Sequence, residues 1–567
     1  MQKIKSYILA IGISSIAFSC KKELDVKNPN SPTPSSAATE VGIIDLAQGG
    51  VYLNGFHNTK YSGDQLYGGF WGETANYHSL MGDETWQEGA NEFMNQLGAP
   101  YTVTFDNGTV VNNPNAPQSE IDLIRQINKN GNGYSNPLYY EWAYMYNLNY
   151  ACNNMLSIAS NVTFSGNAAA KLNTIQAWAY FWKGYAYSRI GSLYYSAIVN
   201  NATNITTNGN YLVHQQIIDT ANACFDQAAT LINGISDATT YSTVMGELIP
   251  GIFQVGLGLP PTQAMFIRNI NTYKARNILV NNTVASMTGS QWDSVYNFAT
   301  AGIQQGDYVF TARSDNNSTF MGAKGSLAGE SIGDPNNTAG WQIMERLIQD
   351  FKFGDYRFNN NFSLSSTGTF TYPDRSEAGG TRWQLLDGNP ISTNTFPIRA
   401  LTPDSASKYA KTVVLANSAV GQYELYLAGT YEENELMIAE ANIYKGNIDQ
   451  GLANIDNVRK FQGAGLAAVS GTNLTLAQAK EELRKERRIA LMFRGLAFYD
   501  ARRWGVITDV SKGGGRTGCW AVDATGKLST NATINYNYMD YWDVPDNEVA
   551  YNAAVGGTPI FNPAYPQ

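Results

Sequence analysis

One segment near the C-terminus constrains the fold more than any other part of the sequence. Residues 474–505 read LTLAQAKEELRKERRIALMFRGLAFYDARRWG and hold eight of the chain's 38 Lys and Arg residues. Within it Ile489, Met492, Phe493 and Leu496 recur at the i, i+3, i+4 and i+7 spacing of one helical face. The pattern predicts a single amphipathic helix. Its apolar face would be buried, and most of its arginines would lie off that face.

The charges of this segment indicate a structural role. Glu481, Glu482 and Glu486 stand at helical spacing to basic residues with which they could pair. Gly495 would weaken a helix by about 1 kcal/mol relative to alanine, which suggests close packing against another element. The formal net charge of the whole chain is −9, which argues against a nucleic-acid partner.

The first residues have the layout of a bacterial lipoprotein leader. Lys3 and Lys5 precede an apolar run from residue 7 to 18, and Cys20 follows directly after a serine. We therefore predict a signal peptide over 1–19, lipidation of Cys20 and a flexible polar tether over 20–40. The alternative is an ordinary signal peptide cleaved elsewhere. The apolar run is shorter than the roughly 20 residues that a membrane-spanning helix needs.

Composition fits an extracellular binding protein. Charged residues make up 15% of the chain, against about 25% in average soluble proteins. Aromatic residues reach 12%, with 35 Tyr and 11 Trp. Such a composition suits a neutral, aromatic-rich binding surface. If Cys20 carries lipid, three cysteines remain, and an odd number argues against a disulfide framework.

Several motifs in this order resemble one family. FRGLAFYDARRWG, at the end of segment 474–505, closely resembles the signature of SusD/RagB-type nutrient-binding outer-membrane lipoproteins. Residues 431–460 resemble that family's helix ending in AEA, its Gly-Asn turn and its N-x-V-R helix, and 176–191 resemble another of its helices. Residues 541–551, YWDVPDNEVAY, are a weaker copy of its Y-x-x-P-I-P-x-x-E segment.

The resemblance implies a mainly α fold: a single large helical domain built on tetratricopeptide-like helix pairs, with long irregular loop insertions. Periodicity agrees, because it predicts helices over 137–160, 168–196, 212–232, 272–284, 291–304, 422–445 and 448–461. Polar stretches over 310–340 and 363–394 read as long loops. We therefore divide the mature chain into a helical part (41–310), a loop-rich insertion region (311–421) and a C-terminal signature part (422–567).

The resemblance also implies a function. Family members capture an oligosaccharide at the cell surface and deliver it to a SusC-type TonB-dependent transporter in the outer membrane, without catalysis. A calcium site is occasionally seen in the family, but for this chain we predict no cofactor and no metal. A peptide receptor of the RagB type is the alternative, and a scaffold that binds only proteins is a further one. A surface hydrolase would need either a nucleophile such as Ser331 in GESIG, whose flanks read as loop, or a pair of carboxylates.

Sugar recognition requires flat apolar surface against a pyranose ring, with polar groups for its hydroxyls. Trp86 stands out, since it lies in MGDETWQEGANEF beside Asp83 and Glu84. In SusD/RagB-type proteins, which this sequence resembles, the ligand surface is formed partly by a loop after the first helices and partly by insertions in the middle of the chain. The candidate ligand-binding residues in those two regions are Trp71, Tyr77, Trp86, Trp341, Arg382 and Trp383.

Other features are better explained without a ligand. A tryptophan is more often a core residue than a binding residue. Trp142, Trp178, Trp182 and Trp292 lie within helical patterns and are predicted to be core. The stretch DNNS at 315–318 could supply calcium ligands, but no complete calcium-loop pattern surrounds it.

Overall fold

The computed structural model describes most of the chain after the leader. The residues described are 37–56, 70, 74–87, 93–113, 120–204, 207–254, 256–313, 341–364, 370–374, 378–379, 383–385, 399–400, 423–523 and 527–565. Within these ranges the protein is mainly α-helical, which confirms the fold class predicted from the sequence. The leader, Cys20 and all but the last residues of the tether lie outside them.

Long helices form the body of the molecule, and short ones join them. The α-helices are Glu40–Tyr52, Ala75–Met81, Met94–Leu97, Glu120–Ile127, Pro137–Ala159, Ala168–Leu193, His214–Asn233, Ala238–Leu248, Gln263–Val280, Gly289–Thr300, Glu345–Asp350, Tyr356–Asn361, Tyr431–Tyr444, Ile448–Gln462, Leu476–Ala490, Ala497–Arg503 and Asp546–Val549. Among the described residues, no helix is long and apolar enough to cross a membrane.

The strands are short and lie in small antiparallel sheets. One sheet has the order Thr85–Gln87, Trp341–Ile343, Trp383–Leu385, Phe362–Leu364, and another the order Arg516–Val522, Leu528–Asn535, Thr102–Thr104, Val110–Asn112. The remaining sheets are Arg399–Ala400 with Tyr423–Tyr426 and Thr311–Arg313, Ser196–Ile198 with Tyr211–Val213, and Phe370–Thr371 with Ala378–Gly379.

One hydrophobic core runs through both halves of the sequence, from Ile43 to Val544. Trp142, Trp178 and Trp182 are buried in it, as predicted. Trp292 is also buried, but it belongs to a second, smaller cluster that joins the helices around 275–299 and 437–441. Because distant segments share the main core, these helices form one packed unit.

The tetratricopeptide-like pair is present where the sequence predicts it. Thr430 caps the first helix, Tyr431–Tyr444, because its side chain accepts a hydrogen bond from the amide of Glu433 at 3.3 Å. The second helix, Ile448–Gln462, begins shortly after the first ends. Gly446 makes this tight turn possible because it adopts a φ of +89°, which favours glycine.

The predicted helix boundaries hold best where no strand intervenes. Segments 137–160, 168–196 and 448–461 match observed helices to within about three residues at each end. The prediction of a helix over 422–445 was wrong at its start, because Tyr423–Tyr426 pairs as a strand with Thr311–Arg313. A strand pairing with residues more than a hundred positions away leaves no signal in local periodicity.

The prediction of one continuous helix over 474–505 was also wrong. The segment forms two helices, Leu476–Ala490 and Ala497–Arg503, separated by a turn. Within that turn Phe493 and Gly495 have φ values of +59° and +69°, a backbone region incompatible with a right-handed helix. The apolar residues of the predicted face are nevertheless buried.

Candidate functional site

Three of the candidate tryptophans lie on neighbouring strands of one sheet. We call the sheet formed by Thr85–Gln87, Trp341–Ile343, Trp383–Leu385 and Phe362–Leu364 the tryptophan sheet. Its register pairs Trp86 with Gln342, and Trp383 with Ile343. The structure thereby joins the two regions that the sequence analysis named separately.

The backbone positions of these tryptophans are close together. Neighbouring strands lie about 4.8 Å apart, and each residue advances a strand by about 3.3 Å. With the observed register, the Cα atoms of Trp86, Trp341 and Trp383 fall within about 10 Å of one another. This spacing is comparable to the length of a disaccharide.

Asp83 and Glu84, immediately before the first strand, are buried. Each is only 1% exposed, so neither carboxylate is available at the surface to a ligand beside Trp86. Their position in the sequence, next to Trp86, had suggested surface groups. The Asp83 carboxylate accepts hydrogen bonds from the guanidinium of Arg346 at 2.6–2.9 Å and from the hydroxyl of Tyr536. Burial by itself raises the pKa of Asp83, but nearby arginines, Arg346 first, hold that pKa below its usual value.

The signature segment holds the backbone of the same turn. Arg488 donates to the carbonyl oxygens of Gly82 and Asp83 at 2.8 and 2.7 Å, and its Nε donates to the Asp350 carboxylate at 2.6 Å. Asp350 also accepts from Arg484 and Arg516, each at 2.8 Å. One buried carboxylate therefore binds three arginines, and one of these, Arg488, holds the turn that precedes the first strand of the tryptophan sheet.

A second link joins the turn to the break in the signature segment. The carboxylate of Glu84 accepts a hydrogen bond from the amide of Phe493 at 3.0 Å, and the carbonyl oxygen of Glu84 accepts one from Met344 at 3.0 Å. Asp83 and Phe493 both have left-handed backbones, with φ values of +63° and +59°. Burial raises the pKa of Glu84 to about 7, although Arg488 opposes that shift. A strained turn and a buried acid thus lie directly before the strand that carries Trp86.

Arg487 and Arg503 of the signature segment are also buried, and both form ion pairs. Arg503 pairs with Glu440 and Asp500, and Arg487 pairs with Asp500. Glu486 accepts from Arg357 and Arg459, and although burial opposes the shift, these arginines lower its pKa to about 2. Of the predicted pairs within the helix, Glu481 with Arg484 is present at 2.7 Å.

The structure places the other candidates as follows. Tyr77 is 2% exposed and packs against Tyr140, with ring centroids 6.2 Å apart, so its ring lies in the core and does not join the tryptophan sheet at the surface. Trp71, Arg382, Ser331 and the DNNS stretch lie outside the described residues. Across the parts of the chain that the structure describes, no cluster of three His, Cys, Asp or Glu residues could hold a metal ion.

Comparison with known families finds a match in the C-terminal part of the chain. Residues 431–560 match the model of the SusD family. This C-terminal part of the chain is therefore similar to the SusD family. The matched part contains both helices of segment 474–505 and the helix pair before them, and hence Arg484 and Arg488. No curated protein matches this sequence.

Solved structures extend the likeness over almost the whole of this chain. A SusD homolog from Bacteroides thetaiotaomicron VPI-5482 has a TM-score of 0.59 at 12% identity and covers 91% of this chain and 97% of its own. NanU of B. fragilis has a TM-score of 0.54 at 13% identity, with coverages of 94% and 100%. A provisionally assigned sugar-binding protein of B. vulgatus ATCC 8482 has a TM-score of 0.53 at 13% identity, with coverages of 92% and 98%. At these identities the likeness shows a shared fold.

Sequence reasoning named the tryptophans as candidates but did not predict the buried contacts of the two acidic residues that precede Trp86. Asp83 and Glu84 were interpreted only as polar neighbours of Trp86, and Arg346 was not considered. Their partners are separated from them by 263 and 409 residues. The one available signal was an acidic pair directly before a candidate strand, in a chain with few charged residues.

Proposed function

We propose that this protein is a cell-surface nutrient receptor that captures oligosaccharide on the tryptophan sheet and delivers it to a SusC-type TonB-dependent transporter in the outer membrane. The lipidated Cys20 would anchor it there, and the tether over 20–40 would let it move relative to the transporter. It would act by binding alone, without catalysis, cofactor or metal.

The observation that carries this proposal is the register of the tryptophan sheet, which places Trp341 and Trp383 on the same face of neighbouring strands and Trp86 on the opposite face. Indole rings bury large apolar areas and suit the C–H face of a pyranose. Two such residues on one face, with Cα atoms about 8 Å apart, favour an oligosaccharide over a single sugar. Buried hydrogen bonds and ion pairs hold the turn before the first strand of the sheet. A strand held in place before a ligand binds loses less conformational entropy on binding.

The fold similarity supports the same conclusion. The match of residues 431–560 to the SusD family model favours a carbohydrate ligand, and so does the fold shared with a provisionally assigned sugar-binding protein. A RagB-type peptide receptor would use the same fold, so the test must include peptides.

The experiment is a binding screen of the soluble form lacking residues 1–20 against a glycan panel and a peptide pool, by calorimetry. Trp341→Ala and Trp383→Ala are the test variants, because both residues lie on the same face of the sheet. Tyr551→Ala is the matched control, because Tyr551 is an aromatic residue that is 77% exposed and lies outside the tryptophan sheet. A stacked ring contributes about 1–2 kcal/mol, so each test variant should bind glycan about 5- to 30-fold more weakly.

The outcomes separate the alternatives. Glycan binding weakened in both test variants and unchanged in Tyr551→Ala supports the proposal. Binding of peptides alone would replace it by the peptide receptor. Glycan binding that is equal in all variants would show that the tryptophan sheet does not bind the glycan.

A further inference from the structure

A second site is suggested by a large cavity that is lined by no residue of the tryptophan sheet. It is an open groove of about 1050 Å³ between the loop after the helix Gln263–Val280, the end of Tyr431–Tyr444 and the signature segment. The amide of Val284 donates to the carbonyl oxygen of Arg503 at 2.9 Å, which fixes one wall against the signature segment. Its volume is at the upper end of the range of ligand pockets.

The floor of the groove is apolar. Trp292 stacks on Tyr444 with ring centroids 4.6 Å apart and ring planes 7° apart. Met287 and Val284 continue this surface, which belongs to the smaller hydrophobic cluster. Little of the Tyr444 face remains for a sugar ring, because the ammonium of Lys480 also lies over it, 4.2 Å from the centroid.

The rim of the groove is basic, although the chain as a whole is acidic. Four lining residues are basic and one, Glu481, is acidic. The buried or half-buried arginines among them, Arg484 and Arg503, are neutralised by ion pairs with carboxylates. Lys480 and Lys512 form no ion pair with any residue that the structure describes. The Lys480 ammonium therefore lies at the apolar floor without an ion-pair partner among the described residues, and Lys512, near Asp509, adds a second positive charge to the lining, in a chain of net charge −9.

We propose that this groove binds an acidic peptide segment of a partner protein. An extended segment could place aliphatic side chains against Met287, Val284 and the Trp292–Tyr444 stack, and carboxylates beside Lys480 and Lys512. Charge complementarity selects acidic over neutral or basic segments. The covered aromatic faces favour a peptide over a stacked sugar. The proposal does not depend on what the tryptophan sheet binds.

The test uses full-length protein in a neutral detergent and fluorescence anisotropy with three labelled probes. These are a decapeptide of alternating Leu and Glu, its matched Leu and Gln analogue, and an oligogalacturonide as an acidic carbohydrate. The test variants are Lys480→Glu combined with Lys512→Glu, and Ala477→Trp, which fills the groove at an exposed lining position. The control combines Lys460→Glu with Lys527→Glu, which makes the same charge change at exposed lysines that do not line the groove.

The expected result follows from two exposed ion pairs, each worth up to about a factor of five in Kd. The Glu peptide should bind up to about 25-fold more tightly than the Gln peptide. Its binding should weaken at high salt and be lost in both test variants, while the control variant retains it.

Three results would overturn the proposal. They are equal binding of the Glu and Gln peptides, equal binding to the test and control variants, and tighter binding of the oligogalacturonide at the same lysines. Circular dichroism melting of every variant identifies any that fails to fold, and Ala477→Trp, which keeps both lysines, provides an independent test of the groove. Loss of glycan binding in Trp383→Ala has no bearing on these outcomes.

Discussion

Replacing Glu84 by glutamine should make the protein more stable at alkaline pH and leave it almost unchanged at acidic pH. Glu84 is buried, and burial raises its pKa from 4.5 to about 7. In the unfolded chain its pKa should return to the ordinary value near 4.3. Between these two pKa values the folded protein binds a proton that the unfolded chain does not.

The sign of the effect follows from this difference. Stabilisation by the neutral acid is fully present below about pH 4.5 and is lost as the pH rises through about 7. A difference of about 2.5 pKa units at about 1.4 kcal/mol each corresponds to roughly 3 kcal/mol. The glutamine side chain of the variant would stay neutral throughout and would keep an oxygen to accept from the amide of Phe493.

The assay is guanidinium denaturation of wild type and Glu84→Gln, in the soluble form, at pH values from 4.5 to 8.5. The difference between the two proteins removes the contributions of groups that both share. We expect the free energy of unfolding of the variant, relative to wild type, to increase by roughly 3 kcal/mol across this range.

Infrared spectroscopy provides a direct control, because the protonated carboxyl band of Glu84 should disappear from wild type near pH 7 and be absent from the variant. The reasoning is refuted if the stability difference is flat with pH. It is also refuted if the variant loses stability as the pH rises.

Three substitutions test the packing and pairing around the same turn by guanidinium denaturation. Asp83→Asn leaves the Arg346 guanidinium buried without its anionic partner, so unfolding should become about 3–5 kcal/mol easier, and a loss under about 1 kcal/mol would contradict the assigned pairing. Gly82→Ala would put a Cβ 2.3 Å from that of Ala497, which should cost about 1–3 kcal/mol or more. Gly495→Ala meets only an ordinary contact at 3.4 Å, so its loss should reflect the φ of +69° alone, about 1–2 kcal/mol. A larger loss at Gly495 than at Gly82 would contradict this ranking.

The sequence predicted the helical core well, because that part of the fold depends on local periodicity. The buried tryptophans Trp142, Trp178 and Trp182 lie on helices whose spacing alone identified them as core. The Gly-Asn turn likewise predicted the helix pair, since a tight turn between two amphipathic segments requires a residue such as Gly446 with positive φ.

Periodicity failed where a distant partner decides the backbone. Phe493 continues the apolar stripe of its segment, yet the helix ends before it because its amide is bonded to Glu84. The arginines were placed off the buried face because charge alone predicts exposure. Their burial depends on carboxylates such as Asp350 and Glu440, whose positions no helical pattern reveals.

The candidate site divides in the same way. The residue types and the family resemblance selected Trp86, Trp341, Trp383 and Tyr77 as candidates, and the structure shows that Tyr77 is buried in the core. Nothing in the sequence indicated that the three tryptophans share one sheet, because strand pairing across more than 250 residues leaves no local trace.

By itself, then, the sequence determined the helical class and indicated the resemblance to the SusD/RagB family, because both follow from short patterns of apolar and aromatic side chains. Only the tertiary structure decided that Arg488 of the signature segment binds the turn before the first strand of the tryptophan sheet. The physical reason is that a buried charge is stable only beside its partner, and partners such as Arg488 and the Gly82–Asp83 turn meet only when the whole chain has folded.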